Sequence, residues 1–435
     1  VVSPRTGPVP VGTGGPDPDD LARCVRCGLC LPHCPTFRVT GSEVEGPRGR
    51  IEAMRLWAAG HLRADRDLAR SLETCVQCLA CEQACPSAVP YHRLIAAGRA
   101  ALREAGSSSR PFSRRFLDAF ATHAVRRPGR LRALGVPLAA AGALGGRGGA
   151  LGLPRLDPAD VAARLPRPTR PGERVDALLL AGCVMHAWDR RTLRDALAVI
   201  AATGARAALT PPGCCGAISR HAGRPRDAQR LADRWWAAVA DLSPGAPILS
   251  TSAGCTLELA DGAATAGRAV RDVTTWLAER LGGDTRPPWS WTGRTLVLHD
   301  PCHLRAGGAH DHVAEVLAGA YRVRRPEPSP PCCGAGGTYA FLEPGRARSI
   351  RDAAARALRA AAPPGTGPAV PVASANPGCG WHLAGAGLKV LHPVRWLAAA
   401  LDGTGHTGRG IRRVNGPGQR PGSTARVNGT GERDG

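Results

Sequence analysis

Between residues 173 and 401, short apolar runs alternate with longer stretches of helical period. Val175-Asp-Ala-Leu-Leu-Leu-Ala-Gly-Cys183 and Thr295-Leu-Val-Leu-His-Asp-Pro-Cys302 each predict a short buried strand that ends at a Cys. Each is followed by a helix-like stretch and a Cys-Cys-Gly, at Cys214-Cys215-Gly216 and Cys332-Cys333-Gly334. A long Ala/Arg helix comes next, then a second strand closing on Gly-Cys. These strands are Pro247-Ile-Leu-Ser-Thr-Ser-Ala-Gly-Cys255 and Val370-Pro-Val-Ala-Ser-Ala-Asn-Pro-Gly-Cys379. A Trp-Leu-Ala helix ends each unit, at Trp276 and Trp396. The landmarks repeat at offsets of 119, 118, 124 and 120 residues, which marks an internal duplication. Strand alternating with helix predicts two α/β units with parallel strands.

The remainder reads differently. Residues 21–105 carry eight Cys amid helical patterns, such as Ile51 to Ala59 and Leu94 to Glu104. Residues 106–172 form a basic connector, with 13 Arg against four acids between 103 and 170. Residues 1–20 and 402–435 are expected to be a flexible and a disordered tail. The expected order is therefore a helical domain (21–105), the connector, repeat one (173–293) and repeat two (294–401). The fold class is α+β and multidomain.

Composition changes this picture in three ways. At 435 residues, two or three domains are expected, and 43% hydrophobic residues suffice for real cores. Aromatics are only 4%, so Ala, Leu and Val must fill those cores. The net charge of +22 comes almost wholly from Arg, since Lys389 is the sole Lys. Without aromatics interleaved among the arginines, a specific nucleic-acid role is not expected. No apolar leader pattern opens the sequence, and no run of about 18 apolar residues occurs. A cytoplasmic chain is expected. Ala133 to Gly146 is the most apolar stretch, interrupted by Pro137, and reads as a packed helix or loop, with membrane-surface contact as the alternative. Sixteen Cys in such a chain point to metal rather than disulfides.

The first eight Cys form two copies of one run. Cys24-x2-Cys27-x2-Cys30-x3-Cys34-Pro35 recurs as Cys75-x2-Cys78-x2-Cys81-x3-Cys85-Pro86. Three thiolates two residues apart wrap one face of a cubane from a tight loop. The fourth, before Pro, leaves that loop and reaches the other cluster. Cluster I is thus expected on Cys24, Cys27, Cys30 and Cys85, and cluster II on Cys75, Cys78, Cys81 and Cys34. Zinc sites use paired knuckles or Cys/His sets instead. The insertion from Pro35 to Thr74 has room for two helices, which favours a helical two-[4Fe–4S] domain over a compact β-containing ferredoxin. Arg48 and Arg50 in that insertion suit a helix-start salt bridge, with a partner or cluster-tuning contact as the alternative.

The other eight Cys divide by repeat. Cys183, Cys214, Cys215 and Cys255 form one candidate metal site; Cys302, Cys332, Cys333 and Cys379 form the other. Their spacing admits an iron–sulfur cluster, zinc or a redox thiol pair. Gly216 and Gly334 provide the bend that adjacent Cys need to share a site. Repeat two has a further glycine run, Gly334, Gly336 and Gly337. Repeat one lacks it and is the candidate for a purely structural copy. The two units are expected about a pseudo-twofold axis, with their Cys loops facing. His299, Asp300 and His303 are read as turn hydrogen-bonding groups, and Gly403 to Gly408 as a chance GxGxxG. No flavin, nicotinamide or hydrolase motif is present, so no catalytic residue is assigned.

Taken together, these motifs resemble the iron–sulfur subunit of bacterial glycolate oxidase. The resemblance lies in Cys24 to Phe37, Gly46-Pro-Arg-Gly-Arg-Ile51, Cys75 to Ser87, His299-Asp-Pro-Cys-His303, Cys332 to Tyr339 and Asn376-Pro-Gly-Cys379. The second half is similar to the paired cysteine-rich "CCG" domains of that subunit. Such domains also occur in lactate-utilisation proteins, anaerobic glycerol-3-phosphate dehydrogenase and heterodisulfide reductases. The resemblance implies an electron-transfer subunit of a 2-hydroxy-acid dehydrogenase, with two [4Fe–4S] clusters and further clusters in the CCG repeats. FAD and the substrate belong to a partner subunit. It also implies a quinone-type acceptor and peripheral contact with the inner face of the membrane. The last Cys of the full CCG motif is replaced by Glu258 and His382, which counts against heterodisulfide chemistry. The alternatives are a CCG reductase acting on disulfides, an iron–sulfur subunit serving lactate or glycerol 3-phosphate, and a metal-bearing interaction protein.

Overall fold

A computed structural model describes residues 15–124, 128–143, 156–263, 266–282 and 287–401. The expected C-terminal tail, with its GxGxxG stretch, and residues 1–14 of the expected N-terminal tail lie outside them. So do Leu144 to Gly146 of the apolar stretch.

The first half is helical, as its patterns predict. Its helices are α1 (Pro18–Ala22), α2 (Pro35–Thr40), α3 (Pro47–Ala58), α4 (Arg66–Glu73), α5 (Ala80–Gln83) and α6 (Tyr91–Glu104). Several begin with Pro at the first turn, where the missing N–H costs nothing. In particular, the Pro after Cys34 starts α2, so this Cys leaves its loop on a helix N-terminus. The long insertion holds three α-helices, α2 to α4, rather than two, with a single 3-10 turn at Glu43–Glu45. α1 begins inside the span expected to be tail. Asp17 caps it, and buried Asp20 ties it to Arg93 at 2.5 Å.

The basic connector is largely helical among its described residues. It forms α7 (Phe112–Ala124), α8 (Pro128–Ala143) and α9 (Pro158–Ala162). α8 covers most of the apolar stretch and carries Pro137 inside it. No described helix is long and apolar enough to cross a membrane.

The two repeats each build a four-stranded parallel sheet. Repeat one has β1 (Ala177–Leu179), β2 (Ala207–Leu209), β3 (Ile248–Ser250) and β4 (Val270–Asp272), in the order β2-β1-β3-β4. Repeat two has β5 (Thr295–His299), β6 (Arg322–Arg324), β7 (Pro371–Ser374) and β8 (Lys389–Leu391), in the matching order β6-β5-β7-β8. The order reverses between β1 and β3, and between β5 and β7. Sites of open parallel sheets lie at such switch points, beyond the carboxyl ends of the strands. Every strand pair is parallel, with Leu178 beside Ile248 and Val297 beside Val372.

One apolar core joins the repeats. It includes Leu179, Leu193, Ile200 and Leu249 from the first, with Leu298, Leu317, Trp396 and Leu397 from the second. The contacts are reciprocal. Helix Arg190–Ala202 of repeat one packs on Pro393–Ala400, and its counterpart His310–Ala318 packs on Val273–Arg280. Such exchange is the mark of a twofold arrangement. Near the axis, the equivalent residues Ser252 and Asn376 meet at 3.2 Å.

The helical domain is wedged against both repeats. Arg346 binds Glu45 at 2.6 Å, and Arg99 donates to the His221 carbonyl at 2.7 Å.

Candidate metal centres and the cavity between them

All sixteen thiols are free and fall into local groups. Cys24, Cys27, Cys30 and Cys85 line one small hollow, together with Cys81. Cys27 is exposed there. Cys34 lies instead among Cys75, Cys78 and Cys81, all buried. Cys85 thus lies with the first three Cys and Cys34 with the second three, while Cys81 also borders the first hollow.

The two loops share an unusual backbone. Arg26 and Gly28 have φ of 58° and 83°; Gln77 and Leu79, at the same register, have 56° and 60°. Three of these four are non-glycine residues in the left-handed region, a conformation that costs about 1 kcal/mol or more each. A chain accepts such turns where they bring its thiols onto one centre.

Arg50 closes the buried group. It is 1% exposed and donates to the Ser71 carbonyl at 2.7 Å and to Thr36 and Thr74 hydroxyls at 3.2–3.3 Å. None of these partners is an anion, and its titratable neighbours are Cys75, Tyr91 and Cys34. A buried cation beside thiols suits an anionic, thiolate-ligated centre. Of the two arginines, only Arg48 makes the helix-start salt bridge, to Glu43 at 2.5 Å.

In the repeats the sites form where strands end. β5 runs through Pro301 into a helix that starts at Cys302, and Cys379 lies in the first turn of the helix after β7. Gly334, with φ of 85°, turns the Cys-Cys loop; a Cβ there would meet the Ala347 carbonyl at 2.6 Å. Cys332 contacts Cys302 and Cys333, and Cys333 contacts Cys379. In repeat one, Cys183 donates to Cys214 at 3.7 Å and Cys215 to Cys255 at 3.1 Å. The copy without the glycine run thus also gathers its thiols. Glu258 and His382 turn to other partners, Arg220 at 2.6 Å and the Ala347 carbonyl at 3.1 Å.

Burial pushes the Cys81 thiol well above its ordinary range, and nearby Cys78 and Cys75 add to this. Sulfur–sulfur hydrogen bonding, then burial, does the same for Cys183 and Cys215. Thiols held this way lose their protons when a metal replaces them, so binding is coupled to proton release.

Three functional features escape the sequence reading. His299 bonds Ser374 at 2.9 Å across the paired ends of β5 and β7, and not within a turn. Its buried Nε2 has no hydrogen-bond partner, and a ring nitrogen of His299 lies within 4.8 Å of the Cys333 and Cys379 sulfurs, which are as close to each other. Repeat one has Leu180 at the equivalent position. The second feature is the docking of the Cys75 loop. Cys78 contacts Cys332, the Gln77 carbonyl accepts from His303 at 3.0 Å, and the Gln77 amide donates to the His221 carbonyl at 2.8 Å. Gly336 permits this approach, because a Cβ there would stand 2.7 Å from Val76 Cγ2. The third is a cavity of about 1090 Å³ onto which the Cys groups of both repeats open. Its walls are mainly apolar, with Trp188 and Trp381 at 6.0 Å, Leu131 and Leu134 from α8, and Leu117 and Phe120 from α7.

Comparison with known proteins agrees with this organisation. Residues 20–89 match the 4Fe–4S dicluster domain family, and residues 177–260 and 296–384 each match the cysteine-rich CCG domain family. The chain is 30% identical to the glycolate oxidase iron–sulfur subunit of Escherichia coli (strain K12), over 88% of its own length and 94% of that protein. It is 27% identical to the probable glycolate oxidase iron–sulfur subunit of Bacillus subtilis (strain 168), over 83% and 88%.

Proposed function

The chain belongs to the family of glycolate oxidase iron–sulfur subunits, and from that membership we propose that it carries electrons from a glycolate-oxidising flavoprotein subunit to a quinone-type acceptor. The observation that carries this reading is the contact of Cys78 with Cys332, which joins the helical domain to repeat two. Cys24, Cys27, Cys30 and Cys85 would hold one [4Fe–4S] cluster, and Cys34, Cys75, Cys78 and Cys81 the other. Cys302, Cys332, Cys333 and Cys379 would hold a further metal centre, as would Cys183, Cys214, Cys215 and Cys255. When bound, such clusters take up and release one electron at a time.

The exposure of the chain's own residues supports one direction. Cys27 is at the surface, rimmed by Val25 and Leu29, which are 69% and 57% exposed. That rim suits docking of the flavoprotein. The Cys34 group is sealed from solvent, and its outlet is through Gln77 and Cys78 toward repeat two. Beyond it, the apolar cavity suits a lipid-soluble carrier better than a polar disulfide.

Glycolate loses two electrons and two protons at the flavin, and a quinone gains both to become a quinol. The flavin bridges the two-electron and one-electron steps, so this chain alone cannot oxidise the acid. The purified chain is expected to show no glycolate-dependent dye reduction until the flavoprotein is added. Robust activity without a flavoprotein would refute the reading.

A second test concerns the crossed ligands. Cys34→Ala is expected to remove the cluster of the buried group, about four iron atoms per chain, and to spare the exposed one. Cys85→Ala should do the reverse. Electron paramagnetic resonance of the reduced variants distinguishes them, and selective loss of the exposed cluster in Cys34→Ala would show that the fourth ligands do not cross.

A further inference from the structure

α7 is turned inside out. Its inward side carries Asp118, held by Arg103 at 3.5 Å and Arg224 at 3.7 Å, and Thr122, which is fully buried. Arg114 on the same helix donates to the Leu342 carbonyl. Its outward side carries Phe112, Phe116 and Phe120, which are 81%, 61% and 50% exposed, and Leu117 at 51%. Spacing of four residues puts the three rings on one face. The chain has only five Phe, and three of them are spent here. An apolar face on this scale marks an interaction site.

Two hollows flank that face. Phe112 and Phe116 border one of about 340 Å³, lined by Arg103, Arg110, Arg115 and Arg224 against the two acids Glu73 and Asp118. Arg115 is exposed and makes no ion pair among the described residues. At the other end, Leu117 and Phe120 line the mouth of the large cavity that holds the Cys groups of both repeats. Along one helix the order is therefore a basic hollow, exposed rings, then an apolar opening.

The geometry points to α7 as an in-plane anchor on an anionic phospholipid bilayer, with headgroup phosphates at the arginine hollow and the Phe side chains in the acyl boundary. Charge complementarity selects this occupant, since an apolar face rimmed by arginine is the pattern of interfacial helices. The inference deepens the quinone reading and rests on it for its purpose: a bilayer seated on α7 brings a lipid-soluble carrier to the cavity mouth.

The test is flotation of the anaerobically purified full chain with vesicles of phosphatidylcholine, alone or mixed with phosphatidylglycerol. The chain is expected to float with the mixed vesicles and hardly with the neutral ones. Phe112→Ser/Phe116→Ser/Phe120→Ser should weaken partition by roughly a hundredfold. Its cluster absorbance should be unchanged, because these rings support no core. Arg115→Glu should cost about tenfold on mixed vesicles and little on neutral ones. Failure of the wild type to bind mixed vesicles, or equal binding by the triple variant, overturns the proposal. So does a triple variant that loses only its capture of the flavoprotein, which would assign the face to that partner. No turnover is involved, so failure here leaves the electron-transfer reading standing, and failure of that reading leaves the vesicle result interpretable.

Discussion

Replacing Cys332 and Cys379 together by Ala is expected to stop electron delivery to a quinone while leaving the two clusters of the helical domain in place. The two Cys belong to repeat two, where they close the site that touches Cys78. Losing even an outer partner of a metal ligand costs about ten- to a hundredfold in metal affinity, and losing two ligands costs at least that. Quinone reduction by the reconstituted complex should therefore fall by roughly a hundredfold or more. Reduction of the helical-domain clusters by glycolate should persist, because their eight thiols are untouched. The corresponding Cys183→Ala/Cys255→Ala variant separates the repeats. A smaller loss there would give repeat one the structural role. Unchanged quinone reduction in the Cys332/Cys379 variant would remove repeat two from the path.

The second large effect is expected at Arg50. Arg50→Met keeps the aliphatic bulk and deletes the buried charge. Removing one partner from a buried charged network typically costs about 3–5 kcal/mol, mainly because the remaining groups lose their compensation. Here those groups are the Ser71 carbonyl, the Thr36 and Thr74 hydroxyls and the neighbouring sulfurs. Thermal unfolding should fall accordingly. In protein that retains the buried cluster, its midpoint potential should move negative, because a nearby positive charge favours the reduced, more anionic form. Arg50→Lys should restore the potential further than the stability, since an ammonium keeps the charge but not the planar fork. A potential that stayed put in Arg50→Met would confine the residue to packing.

Much of this was legible in the sequence because the chemistry constrains the spacing. Two Cys-x2-Cys-x2-Cys-x3-Cys-Pro runs leave little freedom in how thiols surround two cubanes. The central strands β1, β3, β5 and β7 are apolar runs ending at Gly or Cys, so their period and their stops agree. The edge strands were not readable. β6 is Arg322-Val323-Arg324 and β8 is Lys389-Val390-Leu391, three residues each and partly exposed, too short and too polar to stand out. The connector's Arg, Pro and Gly content obscures its helical pattern before Ala133, yet α7 and α8 pack over the cavity. Which side of α7 faces inward could not be read either. A stripe of Phe at helical spacing is ordinarily core, and only tertiary packing shows Asp118 and Thr122 inside instead. The docking of Gln77 and Gly336 and the free nitrogen of His299 likewise depend on residues far apart in the chain.

We propose this chain as an obligatory electron carrier between a flavoprotein and the acceptor. The direct measurement is anaerobic stopped-flow mixing of the reconstituted complex with glycolate, following flavin and cluster absorbance, with rapid-freeze paramagnetic resonance on the same timescale. The clusters should become reduced at least as fast as the complex turns over, and quinone should reoxidise them. Clusters that stayed oxidised, or filled more slowly than glycolate was consumed, would contradict the account.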